Sequence, residues 1–301
     1  MGYREAVKKE KRKQDENMSG IFDSHAHYDD RRFDEDRDSV ISGLKDAGVE
    51  LVVNVGSSIE TTKKTLEITA KYPYVFGSAG IHPEECGETT EADIEWIGSV
   101  FDNEKIVAVG EIGLDYHWDE PSREIQVTWF KRQMELAVKL GKPVIIHSRD
   151  AAEDTMSILK EYTDGLKISI AKKRGSASGN KEKEAVASPG VLHCFSNSYE
   201  MAAEYVKMGY YIGIGGVVTF KNAKKLKEVA EKIPIEHIII ETDCPYMAPE
   251  PHRGKRNDSS YLNHVVDKIA DIKGMDREDV IRITRDNAIR MYNISWQENG
   301  R

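Results

Sequence analysis

The chain has 301 residues, 39% of them apolar and 32% charged, and its 43 basic against 52 acidic side chains leave a net charge of −9. That balance excludes a histone-like protein that coats nucleic acid through a broadly basic surface, and recurrent apolar runs exclude wholesale disorder. Three cysteines are too few for a disulfide framework, no apolar run nears the ~18–20 residues of a membrane span, and the N-terminus lacks the apolar core of a signal peptide. A cytoplasmic protein is therefore expected.

Residues 1–20 carry Lys8-Lys9-Glu10-Lys11-Arg12-Lys13 and no apolar face. They read as a disordered tail or an upstream-start extension. From residue 21, short β-branched runs alternate with stretches of helical spacing. The runs fall at 21–25, 51–55, 74–81, 106–111, 143–147, 191–195, 210–214 and 237–242. The helical stretches fall at 32–47, 59–71, 91–101, 121–140, 150–161, 198–208 and 221–232, with a closing helical region over 257–292. Strand alternating with helix means βαβ units on a parallel sheet, and eight repeats point to a (β/α)8 TIM barrel with C-terminal helices. An open doubly wound sheet is the alternative. Residues 21–293 thus read as one barrel domain, and 294–301 as a short tail. Residues 163–190, flexible by composition around Gly175-Ser176-Ala177-Ser178-Gly179, read as an exposed insertion on the barrel face away from the strands' C-terminal ends.

Metal-competent side chains close the apolar runs. His25 and His27 end the first, Glu111 the fourth, His147 the fifth, His193 the sixth and Asp243 the eighth. In a barrel all these ends meet on one face. His25 and His27, two apart on a strand, share a face and can approach one ion from one side. Singly, each residue has an ordinary explanation as a hydrogen-bonded core histidine, a helix cap or an ion-pair partner. Six such explanations at five strand ends would each need separate compensation for burial. Four imidazoles and two carboxylates exceed one tetrahedral ion and suit two divalent cations sharing a carboxylate and a water. The phosphate loop Gly-x-x-x-x-Gly-Lys-Ser/Thr, the Gly-x-Ser-x-Gly elbow and His-Glu-x-x-His are all absent.

Several blocks together resemble the TatD family of metal-dependent deoxyribonucleases, within the amidohydrolase-like barrel superfamily, over about residues 21–293. They are Asp23-Ser24-His25-Ala26-His27, Gly80-Ile81-His82-Pro83, Gly110-Glu111-Ile112-Gly113-Leu114-Asp115-Tyr116, Pro143-Val144-Ile145-Ile146-His147-Ser148-Arg149, His193-Cys194-Phe195-Ser196 and Glu241-Thr242-Asp243-Cys244-Pro245-Tyr246, followed by Arg253-Gly254-Lys255-Arg256-Asn257. The resemblance implies that His25, His27 and Asp243 hold one metal and that His147 and His193 hold a second. It implies that Glu111 bridges them and that His82 faces the substrate. Asn197 stands where the family usually has glycine.

The chemistry expected of such a site is hydrolysis of a phosphodiester, with Asp243 as general base and Glu111 bridging. Arg149 and Arg253 are candidates for phosphate contacts, and Lys255 and Arg256 read more simply as a solvated or salt-bridged loop. Tyr116, with His117 and Trp118, could stack unpaired bases or pack against the rim. A narrow mouth favours a 3′-5′ exonuclease on single-stranded DNA, with RNA or tRNA as further partners and no obligate protein partner or membrane. The imidazoles favour zinc, and magnesium or manganese would serve turnover. The alternative is a D-aminoacyl-tRNA deacylase, or another ester or amide hydrolase, on the same metals.

Overall fold

The computed structural model describes residues 20–178 and 187–296. Nearly all of the expected N-terminal tail and most of the C-terminal one lie outside the described residues. Eight strands form a single sheet: β1 (Ile21–Ala26), β2 (Val49–Val55), β3 (Val75–Ala79), β4 (Ile106–Asp115), β5 (Val144–Arg149), β6 (Gly190–Leu192), β7 (Tyr211–Ile214) and β8 (Ile238–Ile240). Every neighbouring pair is parallel, in the order β1 to β8. Strands covered on both faces are mostly apolar, and all ten residues of β4 are buried, Glu111 and Asp115 among them.

The helices among the described residues are α1 (Arg37–Gly43), α2 (Ile59–Lys71), α3 (Glu91–Ser99), α4 (Arg123–Leu140), α5 (Ala152–Ser178), α6 (Tyr199–Lys207), α7 (Lys224–Lys232), α8 (Leu262–Lys273) and α9 (Arg277–Tyr292). Reciprocal capping boxes start α2 at Ser58 and Thr61 and α3 at Thr90 and Asp93. None of these helices is long and apolar enough to cross a membrane. Together the elements make a (β/α)8 barrel, α1 to α8 each following a strand, with one further helix, α9, at its C-terminal end.

The barrel closes at the β8–β1 seam, where side chains substitute for much of the missing ladder. One parallel bridge joins Ala26 to Cys244. Around it the His27 amide donates to the Cys244 carbonyl (2.8 Å) and the Asp243 amide to the His25 carbonyl (2.9 Å). Below it Ser24 Oγ donates to the Ile240 carbonyl (3.0 Å). The buried Asp23 carboxylate accepts from the Thr242 amide (3.0 Å) and from the hydroxyls of Thr242 and Ser259 (2.6 Å each). Buried backbone groups are thereby satisfied without a full strand pair.

The element boundaries differ from the sequence reading in three places. The stretch 32–47 is a short α1 between two 3-10 turns, ended by Gly48 in the left-handed region (φ 80°). The closing region is divided by Gly274 (φ 61°) into α8 and α9. Helix α5 continues beyond residue 161 through much of the expected insertion, because Leu159, Leu166 and Ile170 keep an apolar stripe on the barrel. Near its end Arg174 donates to the carbonyls of Arg290 and Met291 (3.1 Å each), capping the last turn of α9. Residues 179–186 of that segment lie outside the described residues.

Candidate metal centre

The six strand-end residues come together. Glu111 stands at the centre and divides its two carboxylate oxygens between two groups of imidazoles. Oε2 lies 3.4 Å from His25 Nε2 and 3.7 Å from His27 Nε2. Oε1 lies 2.5 Å from His193 Nε2, 2.9 Å from His147 Nδ1 and 3.6 Å from His82 Nε2. The two β1 imidazoles present their Nε2 atoms 3.1 Å apart, and Asp243 Oδ1 lies 3.8 and 3.5 Å from them. His147 Nδ1 and His193 Nε2 are 3.3 Å apart. His82 therefore joins the cluster itself, on the His147 side.

A shell of hydrogen bonds aims these rings. His27 Nδ1 donates to the Val55 carbonyl (2.9 Å), which turns its Nε2 inward. His147 Nε2 donates to Asp115 Oδ2 (2.9 Å), which turns Nδ1 towards Glu111 and His193. The His25 ring stacks on His193 at 4.0 Å. Such outer partners fix both the tautomer and the orientation of a metal-binding histidine. Two non-glycine residues here hold left-handed backbone, Cys194 (φ 44°) and Asp243 (φ 56°). Strain of this kind concentrates where a side chain must be placed for function. It falls on Cys194 and not on Asn197, the position where the family usually has glycine.

Electrostatics divides the imidazoles. Burial pushes His25 down to about 4, helped by the neighbouring His193. Burial likewise takes His82 to about 3. Burial also opposes charge on His27, but the carboxylates of Asp243, Asp29 and Glu111 outweigh it and push the ring up to about 10. Asp115 and Glu111 overcome burial at His147 and raise it to about 9. Burial would raise Glu111 too, yet the surrounding His193, His82 and His147 hold it well below the usual carboxylate range. Neutral rings beside anionic carboxylates are what a divalent cation needs, since binding a cation displaces the protons.

The donor set fits metal ions. Three groups each offer one ligand atom per residue with all atoms within 4.8 Å: His25, His27 and Asp243; His82, Glu111 and His147; His25, His193 and Glu241. The first is the triad expected from the sequence. In the others, His82 and Glu241 are additional to the expected ligands.

Two carboxylates were not singled out from the sequence. Asp115 orients His147. Glu241 is buried and pushed up to about 8 by that burial. It accepts from the Cys194 amide, and it fills the space beside Gly213, where a Cβ would fall 2.5–2.7 Å from its oxygens. The available signal was the strand period of two, which puts residues 241 and 243 on one face.

The cluster forms the floor of a cavity of about 960 Å³ that opens at the C-terminal ends of the strands, and His82 and Arg149 line it. Tyr116 is not among the residues that line it, in keeping with the rim-packing alternative. Its hydroxyl donates to Asp154 (2.7 Å) and Arg123 covers its ring at 4.3 Å, so it packs against the rim. Arg253 stands behind Phe220, 4.4 Å from a ring that does line the cavity. Arg256 pairs with Asp36 (2.7 and 2.8 Å), as its salt-bridge reading anticipated. Burial pushes the thiols of Cys194 and Cys244 well up, which makes both poor nucleophiles.

Residues 22–293 match the family described as TatD related DNase. The chain is 42% identical over 275 residues to the uncharacterized metal-dependent hydrolase YabD of Bacillus subtilis, covering 91% of this chain and 100% of that protein. It is 29% identical over 280 residues to the 3′-5′ ssDNA/RNA exonuclease TatD of Salmonella typhimurium, covering 91% of this chain and 99% of that one. Its fold resembles the crystal structure of YjjV, a TatD homolog from Escherichia coli K12, with a TM-score of 0.80, 26% identity and coverage of 91% and 98%. With a match across the whole barrel and five imidazoles gathered round one buried glutamate, the chain belongs to the TatD family of metal-dependent hydrolases.

Proposed function

We propose that this hydrolase is a 3′-5′ exonuclease acting on single-stranded DNA, with RNA as a further substrate. The observation that carries the reading is Glu111, with one oxygen turned to His25 and His27 and the other to His147 and His193, on the floor of an open cavity. In this reading His25, His27 and Asp243 hold one divalent cation, His147 and His193 hold another, and Glu111 lies between them. Such ions supply Lewis-acid activation of water and charge neutralisation at a phosphate.

The chain's own residues do the rest. The Asp243 carboxylate is kept anionic because His27, His193 and His25 overcome the effect of burial. It can therefore take a proton from the attacking water at neutral pH. Arg149 on the cavity wall offers a guanidinium to a phosphate oxygen. His82, neutral at pH 7, offers a hydrogen bond without a competing charge. The acidic chain confines attraction for a polyanion to this mouth. The polarity of digestion rests on similarity to the Salmonella exonuclease. The imidazole-rich donor set favours zinc in the resting protein, with magnesium or manganese supporting turnover.

The test is a time course on 5′-labelled single-stranded DNA with Mg²⁺ or Mn²⁺, with EDTA and Asp243→Asn as controls. A ladder shortening from the 3′ end, absent from both controls, is the expected result. An intact substrate with the metal-loaded protein, together with hydrolysis of D-aminoacyl-tRNA, would replace the nuclease reading by the deacylase one.

A further inference from the structure

Five large apolar side chains are exposed among the described residues; Tyr246 (46% exposed) and Met247 (47%) line the mouth of the site, and Trp118 (56%) stands beside Glu84, which lines it too. Trp118 follows β4 and the Tyr246–Met247 pair follows β8. In an eight-stranded ring these loops stand four strands apart, on opposite sides of the metal centre. Exposed aromatic and thioether groups facing a polar catalytic cavity are unfavourable in water unless something covers them.

Neither ledge is loosely held. The Tyr246 hydroxyl donates to Asp30 Oδ2 (3.2 Å), and the Arg32 guanidinium, itself paired with Asp30, lies 4.0 Å from the ring centroid. The Tyr246 amide donates to the carbonyl of Asp243 (2.9 Å). Behind Met247, the Gly216 backbone packs so closely on the Met247 carbonyl that a Cβ there would collide with it. Across the mouth, Trp118 sits edge-on to His117 at 4.7 Å. The His117 amide donates to Asp115 Oδ1 (2.9 Å), the carboxylate that orients His147. Each ledge is thus tied through one or two hydrogen bonds to a residue of the metal centre. Ledges held in this way cost little further ordering when they receive a ligand.

We infer that Tyr246–Met247 and Trp118 are two nucleobase-stacking ledges that grip unpaired bases on either side of the scissile phosphate. The inference rests on the nuclease reading above and adds the part of the substrate that is recognised. Every base has a flat face, so stacking is sequence-tolerant and requires an unpaired strand. A duplex keeps its bases stacked inside and cannot offer them to ledges on opposite walls. Arg149, between the ledges on the cavity wall, would take the backbone phosphate.

The experiment measures kcat/KM of Met247→Ala and Trp118→Ala on a single-stranded oligonucleotide, as a ratio to kcat/KM on methyl p-nitrophenyl phosphate, a phosphodiester with no base. Trp118→Ala is expected to lower that ratio about 5- to 150-fold, the usual worth of one base–aromatic stack, and Met247→Ala, which removes a thioether and no ring, to lower it by a smaller factor. A single abasic residue at the terminal or the penultimate nucleotide should produce the same loss in the wild type, and the loss should not add to that of the matching variant. An unchanged ratio, whether both activities persist or both fall together, overturns the ledges while leaving the nuclease reading intact. Abasic substrates cleaved as well as intact ones overturn them equally. A wild type that cleaves no single strand while turning over the small diester removes the nuclease reading and the ledges with it.

Discussion

At the scale of single residues, the centre depends on charge balance in a buried space. Asp243 lies within 3.8 Å of both β1 imidazoles and also meets the cavity. Asp243→Asn is expected to lower kcat/KM by about two to four orders of magnitude, as loss of a general base does, with the thermal midpoint maintained or raised. Parallel activity and melting measurements check both parts. Glu241 is a different case. Burial biases its carboxyl towards the neutral form, and it occupies the room that Gly213 leaves. Gly213→Ala forces an added methyl against that carboxyl and is expected to destabilise the protein by about 1–3 kcal/mol, read by denaturant unfolding. The metal-competent residues were legible in the sequence because each ends an apolar run. Asp115 and Glu241 were not, since nothing in one sequence says which carboxylate touches an ion and which supports a ligand.

At the scale of elements, α9 is clamped to the barrel floor by one partly buried ion pair. Arg285 Nε and Nη2 meet Glu50 Oε2 and Oε1 at 2.6 and 2.9 Å, and Trp296 Nε1 and the Gly20 amide donate to the same carboxylate. Burial alone would raise the Glu50 carboxyl, but Arg285 outweighs it and holds the group below its ordinary value of 4.5. A carboxyl depressed in the folded state contributes stability that is present above its unfolded pKa and lost as pH falls through the folded one. Stability should therefore decline on acidification below about pH 4.5. Glu50→Gln is expected to cost about 1–3 kcal/mol at pH 7, and the gap to the wild type should close in that acid range. Unfolding curves at pH 7 and at pH 3.5 give both numbers. Strand positions were readable because β-branched runs bounded by turn residues have few other uses. The length of α5 was not, because a glycine- and serine-containing stretch looks like a loop until the apolar stripe of Leu159, Leu166 and Ile170 is seen on the barrel.

For the whole molecule, the barrel gathers groups that would repel or compete in the absence of an ion. His27 and His147 are biased towards the charged form, while His25 and His82 are biased towards the neutral one. Metal that binds the folded chain and not the unfolded one should stabilise it by about 2.7 kcal/mol at a hundredfold excess over Kd. Chelation with EDTA is expected to lower the thermal midpoint by several degrees, and added Zn²⁺ or Mn²⁺ should restore it. An unchanged midpoint after verified metal removal would argue against metal held by these residues. The long sequence separation from His25 to Asp243 also means that the centre exists only once the β8–β1 seam is shut.

The sequence by itself determined the alternation of strand and helix, hence the barrel, and it set six metal-competent residues at the ends of five apolar runs. Local pattern suffices there, because burial on both faces demands apolar runs and each run's end is marked by the first polar side chain. Only the tertiary structure decided that His82 enters the cluster, that Glu111 faces both groups of imidazoles and that Tyr116 turns away to Asp154. It also set Trp118 across the mouth from Tyr246 and Met247. These are relations between loops on different strands. Barrel closure, with the twist and stagger of all eight strands, fixes them, and no stretch of sequence contains that information.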